Sequence, residues 1–325
     1  MFDDIKVARY EIVLKAGKNG LILPSYKGST LRGGFGAAFQ RVVCSQKDQQ
    51  CHRCLLMNNC PYAYIFETAP PPGSKALRNY ENIPRPFVLE PPLETKTFYG
   101  PGERLTFQLV LFGKAINYLP YFIVVFRELG NMGMGKGRRP FYIDAVKAIN
   151  IHTGDRTTIY DGNNEMVTNL DVTITGKELG DSQGLDDFQD KPNLLTIRFL
   201  TMSRLKFAQE YATIPEFHVI IRNLLRRLSS ISYFHHGIEP QLDFPGLIEK
   251  AQSEVTLIKN ETRWEDWERY SSRQDTKMNL GGIVGQAVYQ GTWVEFWPLL
   301  KLAEQVHVGK GAVFGLGKVE IILGH

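Results

Sequence analysis

One arrangement occurs twice in this chain and limits its fold more than any other feature: an apolar helix, a glycine-rich basic loop, then a strand. In the C-terminal copy, Trp293 to Val306 carries Phe296, Leu299, Leu300 and Ala303 at helical spacing. It feeds a loop from His307 in which Gly309, Gly311, Gly315 and Gly317 alternate with Lys310 and Lys318, and the apolar run Val319 to Leu323 follows. In the earlier copy, Pro120 to Leu129 reads as a helix, with Pro120 in the first turn and Tyr121, Phe122, Val125, Phe126 and Leu129 on one face. Gly130 is expected to end it. Gly133, Gly135 and Gly137 then alternate with Met134 and Lys136, and Arg138 and Arg139 lead into a strand from Phe141 to Ile151. The repeat implies an internal duplication.

Glycines permit backbone N–H groups to turn toward one point and permit a ligand to approach without meeting a Cβ, so a phosphate is the natural client. Two nucleotide loops are excluded by spacing. A Walker loop needs a glycine five residues before Gly-Lys and a Ser or Thr after it, whereas Ala312 and Val319 hold those positions around Gly317 and Lys318. A dinucleotide fingerprint needs G-x-G-x-x-G opening a helix, but Phe314 stands three residues after Gly311 and the loop runs into a strand.

A chain of 325 residues exceeds what one core usually fills. The net charge of +4 is small but uneven: Tyr26 to Arg53 holds five basic residues against one acidic, and Arg198 to Arg227 six against two. Local basic surfaces of this kind attract a polyanion even on a nearly balanced protein. The start, Met-Phe-Asp-Asp-Ile-Lys, lacks a basic and then apolar leader, and 18 apolar residues never run together. The expectation is a cytoplasmic protein with no membrane partner, and therefore no structural disulfides.

Taken in order, Ile5 to Leu14 reads as a strand with Ala8, Tyr10, Ile12 and Leu14 on one face. Ser29 or Thr30 is placed to cap a helix reaching about Val43, with Lys27 and Arg32 beside an N-terminus that suits an anion. Gly33, Gly34 and Gly36 in its first turns imply either close approach of a ligand or tight packing. Tyr62 to Phe66 and Thr95 to Phe112 read as strands, followed by the helix–loop–strand unit and a hairpin at Thr153 to Asp155. The acidic segment 176–192 reads as a linker. Beyond it come a strand from Leu194 to Leu205, a helix from Pro215 to Phe234, and strands at Val255 to Trp267 and Ile283 to Gln290, ahead of the last helix. Arg222, Arg226 and Arg227 sit off that helix's apolar stripe, as a solvated basic face would. Strand, helix, two strands, helix, strand is the split βαβ order. The fold class is thus α+β, with two tandem ferredoxin-like (RRM-like, βαββαβ) domains, 1–175 and 193–325. Such a sheet is also the platform that RNA-recognition modules use.

Cys44, Cys51, Cys54 and Cys60, spaced C-x6-C-x2-C-x5-C, form a small insertion (44–60) in the first domain. The set is compatible with a structural zinc site or an iron–sulfur cluster, or with four reduced, unliganded thiols. A four-thiolate metal would staple the insertion rather than catalyse.

The chain resembles the CRISPR-associated repeat-processing endoribonucleases of the RAMP (repeat-associated mysterious protein) superfamily. The resemblance rests on His307-Val-Gly-Lys-Gly-Ala-Val-Phe-Gly-Leu-Gly317, on Arg269-Tyr-Ser-Ser-Arg-Gln274 followed by Gly281, Gly282 and Gly285, on Gly28-Ser-Thr-Leu-Arg-Gly-Gly-Phe35, and on the cysteine segment ending Cys60-Pro-Tyr62. It implies two ferredoxin-like domains and a glycine-rich loop, 307–318, on RNA. It also implies cleavage of CRISPR precursor transcripts at their repeats into guide RNAs without metal: the 2′-OH attacks the adjacent phosphate, leaving 2′,3′-cyclic phosphate and 5′-OH ends. The superfamily also supplies non-cleaving RNA-binding subunits of guide-RNA effector complexes, which is the alternative function, with such a complex as partner.

That chemistry needs a base, an acid and a cation for the pentavalent phosphate. Histidine is the usual acid–base group near neutrality; His307 abuts the loop and is either catalytic or a loop support, with Lys310 as the cation. Many members of the family place a catalytic histidine between first strand and first helix. Here that segment offers Tyr26, Lys27, Ser29 and Arg32 instead, and His52 in the cysteine insertion is a further candidate. Candidate RNA contacts are Gly309, Gly311, Gly315, Gly317, Lys318, Arg32, Lys136, Arg138, Arg139, Arg269, Ser271 and Arg273.

Overall fold

The structure is a computed structural model and describes residues 1–46, 51–68, 83–181, 185, 188, 193–271 and 276–324. These form two compact units, one of 6–174 with 234–236, the other of 1–5, 175–233 and 237–325.

The first unit is built on β1 (Lys6–Ala16), α1 (Gly28–Val43), α2 (Pro61–Phe66), β2 (Phe87–Glu90), β3 (Arg104–Phe112), α3 (Leu119–Met132), β4 (Phe141–Ile149) and β5 (Arg156–Asp161). Its sheet runs β2-β3-β1-β4-β5, antiparallel throughout, with Val7 opposite Phe112 and Ala16 opposite Phe141. The second unit repeats the plan with β6 (Asn193–Ser203), a small hairpin of β7 (Lys206–Phe207) and β8 (Glu210–Tyr211), α4 (Phe217–Ile231), α5 (Phe244–Ser253), β9 (Val255–Glu265), β10 (Glu268–Ser271), β11 (Thr276–Asn279), β12 (Gly282–Gly291), α6 (Trp297–Val306) and β13 (Val319–Leu323). Its sheet runs β9-β12-β6-β13. Numbered within each half, both contain the order 2-3-1-4, with a fifth strand added at the edge of the first, so both halves are ferredoxin-like.

Apolar alternation in the strands and 3.6-residue stripes in the helices meet in one core per unit. In the first, Phe35 of α1 stacks at 4.7 Å on Phe126 and 4.9 Å on Phe122 of α3. In the second, the stripe Phe217, Ile220, Ile221, Leu224, Leu225, Leu228 and Ile231 is buried on its sheet.

Several local expectations are corrected. Tyr62 to Phe66 is helical, because Pro61 opens a turn that buries Ala63, Ile65 and Phe66 together. The strand expected over Thr95 to Phe112 is split into a short strand Phe98–Tyr99, paired with Leu21–Ile22, and β3, since a turn at Pro101-Gly102, closed by Glu103 N–H donating to Gly100, interrupts it. α1 is capped by Lys27 without a side-chain bond, so Ser29 and Thr30 lie inside it. Gly130 does not end α3 but lies within it, where a Cβ would strike the Phe141 carbonyl. Most of 176–192 lies outside the described residues.

The first sheet's polar face carries paired charges. Arg9 donates to Glu90 at 2.8 Å and to Gln108 at 2.5 Å, and Glu11 accepts from Lys147 at 3.0 Å and pairs with Arg156 at 3.2 Å. Its charges are satisfied internally.

Candidate nucleic-acid interface

The C-terminal glycine loop is shaped mainly by its own backbone. Gly309, Gly311, Gly315 and Gly317 all have φ between 74° and 87°, a region open to glycine at little cost. A Cβ on Gly309 would meet the Arg204 carbonyl, and one on Gly317 the Val308 carbonyl. Val308 N–H donates to Gly317 at 2.8 Å and Gly317 N–H to Met202 at 3.1 Å, folding the loop flat on the end of β6. Gly315 to Gly317 are buried; Lys310 is exposed between half-buried Gly309 and Gly311. Half the loop is therefore structural, and the half around Lys310 faces solvent.

His307 caps α6 with φ 63° and is fully buried. Its Nδ1–H donates to the Leu316 carbonyl at 2.9 Å, which pins the loop's two limbs together. Lys318 N–H donates to Thr201 Oγ1 at 2.9 Å. Two arginines that the sequence reading did not select lie under this loop. Arg227 of α4, expected on a solvated face, instead turns inward, donating from Nε to Val306 at 2.7 Å, and burial pulls its pKa down to about 10. Arg204 follows β6, is 9% exposed, and its carbonyl accepts from Lys310 N–H at 3.1 Å. Arg204 Nε and Arg227 Nη2 are buried without a hydrogen-bond partner, and among the described residues no carboxylate forms an ion pair with either. The signal in the sequence was the basic excess of 198–227, but only the fold turns these two under the glycines.

In the first unit the shorter loop ties to the segment after β1. Lys136 N–H donates to Ile22 at 2.9 Å, Arg139 donates to the Asn19 carbonyl, and a Cβ on Gly135 would strike Ile22. Lys136 and Arg138 are exposed. Lys27, by contrast, is fully buried, its Nζ donating to the Ser25 and Glu94 carbonyls at 3.1 and 2.9 Å. Burial lowers its pKa, partly offset by the Glu94 charge. Burial, and then the Glu90 charge, push the Tyr26 phenol well above its usual range, so it holds its proton at neutral pH. Arg32 lies 5.1 Å over the Phe66 ring. His52 is exposed in the turn Cys51–Arg53. The side chains of Arg269 and Ser271, and Arg273 itself, lie outside the described residues.

The four cysteines are free thiols of intermediate exposure. Among the described residues no three Cys, His, Asp or Glu side chains gather as a metal ion requires. The structure thus lends no support to zinc or an iron–sulfur cluster here. No described helix is long and apolar enough to cross a membrane.

A family model described as AF_1859_N, N-terminal domain, matches residues 5–172, and one described as CRISPR-associated endoribonuclease Cas6 matches residues 197–319. The first alone spans more than half of the chain. The chain belongs to the family described as AF_1859_N, and its C-terminal part matches the CRISPR-associated endoribonuclease Cas6. An uncharacterized protein of Archaeoglobus fulgidus is 24% identical over 298 residues, 91% of this chain and 91% of its own length. Thermus thermophilus Cas6 superposes with a TM-score of 0.53 at 16% identity, covering 98% of this chain and 99% of that one. A Cas6 product complex gives 0.56 at 16% identity, over 97% and 100%. A Cas6-RT-Cas1–Cas2 complex gives 0.56 at 14% identity, over 99% of this chain and 29% of that one. These likenesses establish the Cas6 fold.

Proposed function

We propose that this protein binds CRISPR repeat RNA and cleaves the precursor transcript into guide RNAs by metal-independent attack of a ribose 2′-OH, leaving 2′,3′-cyclic phosphate and 5′-OH ends. One observation carries the RNA reading: the exposed Lys310 stands on a rigid loop beneath which Arg204 and Arg227 hold buried, incompletely satisfied guanidinium groups. A buried charge without a partner is costly, and a phosphate above the loop offsets that cost. Lys310 is then the cation for the developing phosphorane charge, at a place already fixed before substrate arrives. The match of residues 197–319 to the Cas6 endoribonuclease model supports cleavage.

Of the proposed acid–base groups, His52 is exposed, whereas His307, Tyr26 and Lys27 are tied to internal partners or hold their protons. That placement favours, as second reading, a non-cleaving RNA-binding subunit of an effector complex. Labelled repeat RNA incubated with the protein in EDTA separates the two. Product ends bearing cyclic phosphate support cleavage; tight binding with intact RNA supports the subunit; cleavage that requires added magnesium refutes the mechanism. His307→Ala and Lys310→Ala, assayed by single turnover, then assign roles.

A further inference from the structure

Beside the exposed half of the glycine loop stands the β7–β8 hairpin. Ala208 and Gln209 both take positive φ, 47° and 70°, which gives the tight two-residue turn of a hairpin. Asn223 of α4 fixes its first strand from both sides, accepting from Lys206 N–H at 3.1 Å and donating to the Lys206 carbonyl at 3.2 Å. Lys206 pairs with Tyr211 across the hairpin, so the two side chains share one face. The Tyr211 side chain is 37% exposed, and one face of its ring lies 4.4 Å from the Arg204 guanidinium carbon. Arg204 is held from below by donating to the Asn279 carbonyl at 3.2 Å, and its own carbonyl anchors Lys310.

A partly exposed tyrosine ring with one face against a buried guanidinium is an unfinished stack. Its edge is fixed by a clamped hairpin, and a second planar group can be added without ordering anything further. Lys206 shares its face of the hairpin, the Lys310 main chain is bonded to the Arg204 carbonyl next to it, and the Arg204 charge lacks a carboxylate among the described residues. A flat, apolar group carrying an anion fits all three: a nucleotide. We propose that Tyr211, supported by Arg204, stacks one unpaired base of the bound RNA, while Lys310 contacts the neighbouring phosphate. The proposal rests on the RNA-binding reading above and adds to it a single-stranded contact outside the glycine loop.

Stacking of one base on an aromatic side chain contributes about 1–3 kcal/mol, or roughly 5- to 150-fold in affinity. The test uses two fluorescein-labelled probes, oligoadenylate and the same ribose-phosphate chain without bases, with affinities read by anisotropy at fixed salt. For the wild-type protein, oligoadenylate should bind more tightly than the abasic chain. Tyr211→Ala should weaken oligoadenylate binding at least about 5-fold and leave abasic binding within about 2-fold, whereas Tyr211→Phe should retain the wild-type difference. Tyr211→Leu, apolar but non-stacking, should behave like Tyr211→Ala; this guards against a folding defect, and thermal unfolding of each variant confirms the fold. Equal losses on both probes, or no loss on either, would overturn the stacking assignment while leaving RNA binding intact. Failure of the wild-type protein to bind oligoadenylate while it binds labelled repeat RNA would also overturn the stacking assignment, and failure to bind repeat RNA as well would overturn the RNA-binding reading.

Discussion

Replacing Gly317 by alanine isolates what the glycine loop's conformation costs. At φ 75° an alanine is left-handed, which costs about 1–2 kcal/mol by itself. Its Cβ would also overlap the Val308 carbonyl oxygen, a backbone atom that cannot swing aside. Relief requires parting the two limbs, with loss or distortion of the Val308-to-Gly317 and Gly317-to-Met202 hydrogen bonds. Each is worth about 1 kcal/mol net, so the total destabilisation should be about 3–4 kcal/mol. Gly311→Ala is the internal control. Gly311 has the same left-handed backbone, φ 87°, but its Cβ would meet only the end of the Leu316 side chain, at 2.7 Å. It should cost about 1–2 kcal/mol, mostly from the backbone. All four tryptophans, Trp264, Trp267, Trp293 and Trp297, lie in the second unit, so urea unfolding followed by tryptophan fluorescence reports that unit selectively. Equal costs for the two variants would refute the claim that main-chain collision, rather than φ alone, dictates Gly317.

Other consequences are measurable with similar means. His307→Ala should lower the stability of the second unit by about 2 kcal/mol, through a lost buried hydrogen bond and a vacated volume, whatever its effect on cleavage; a variant as stable as wild type would remove its role as anchor. Glu90→Gln leaves Arg9 without its carboxylate in a half-buried setting and should destabilise the first unit by about 2–3 kcal/mol in thermal unfolding. Burial, with a contribution from Asp171, raises the Tyr10 pKa to about 12 from 10.0. Between those values the unfolded chain has lost a proton that the folded one retains, so stability should be constant below about pH 10 and fall as pH rises toward 12. The loss from Tyr10 is roughly 2 kcal/mol, checked by unfolding against pH alongside tyrosinate absorbance. RNA cleavage should persist at full rate in EDTA, read from labelled ends.

The duplication, the element order of the second half and the apolar stripes were legible because each depends on local periodicity, whereas the first half's edge strand Phe87–Glu90 was hidden among prolines and its place was given to the helical Tyr62–Phe66. Leu224 and Leu228 are spaced for a helix wherever that helix lies. The glycine loops were legible as loops, but their glycines were assigned to a ligand when most answer to neighbouring carbonyls, such as Val308 for Gly317 and Ile22 for Gly135. Spacing carries no information about which backbone will come close. The same limit hid Arg204 and Arg227: helical position put Arg227 off the apolar stripe, yet the end of α6 covers it and supplies the Val306 carbonyl. Gly130 and the helix at Pro61–Phe66 were misjudged because tertiary contact overrode local propensity.

Three residues after α4 have an implication for dissecting the protein. Phe234 to His236 belong with the first unit, where His235 donates to the Pro84 carbonyl at 2.7 Å and His236 accepts from Lys6 N–H at 2.8 Å, while 1–5 belong with the second. A single scission near residue 175 would therefore release two fragments that each lack a piece supplied by the other. Expression of either half alone should give poorly soluble material, and co-expression of both should rescue it.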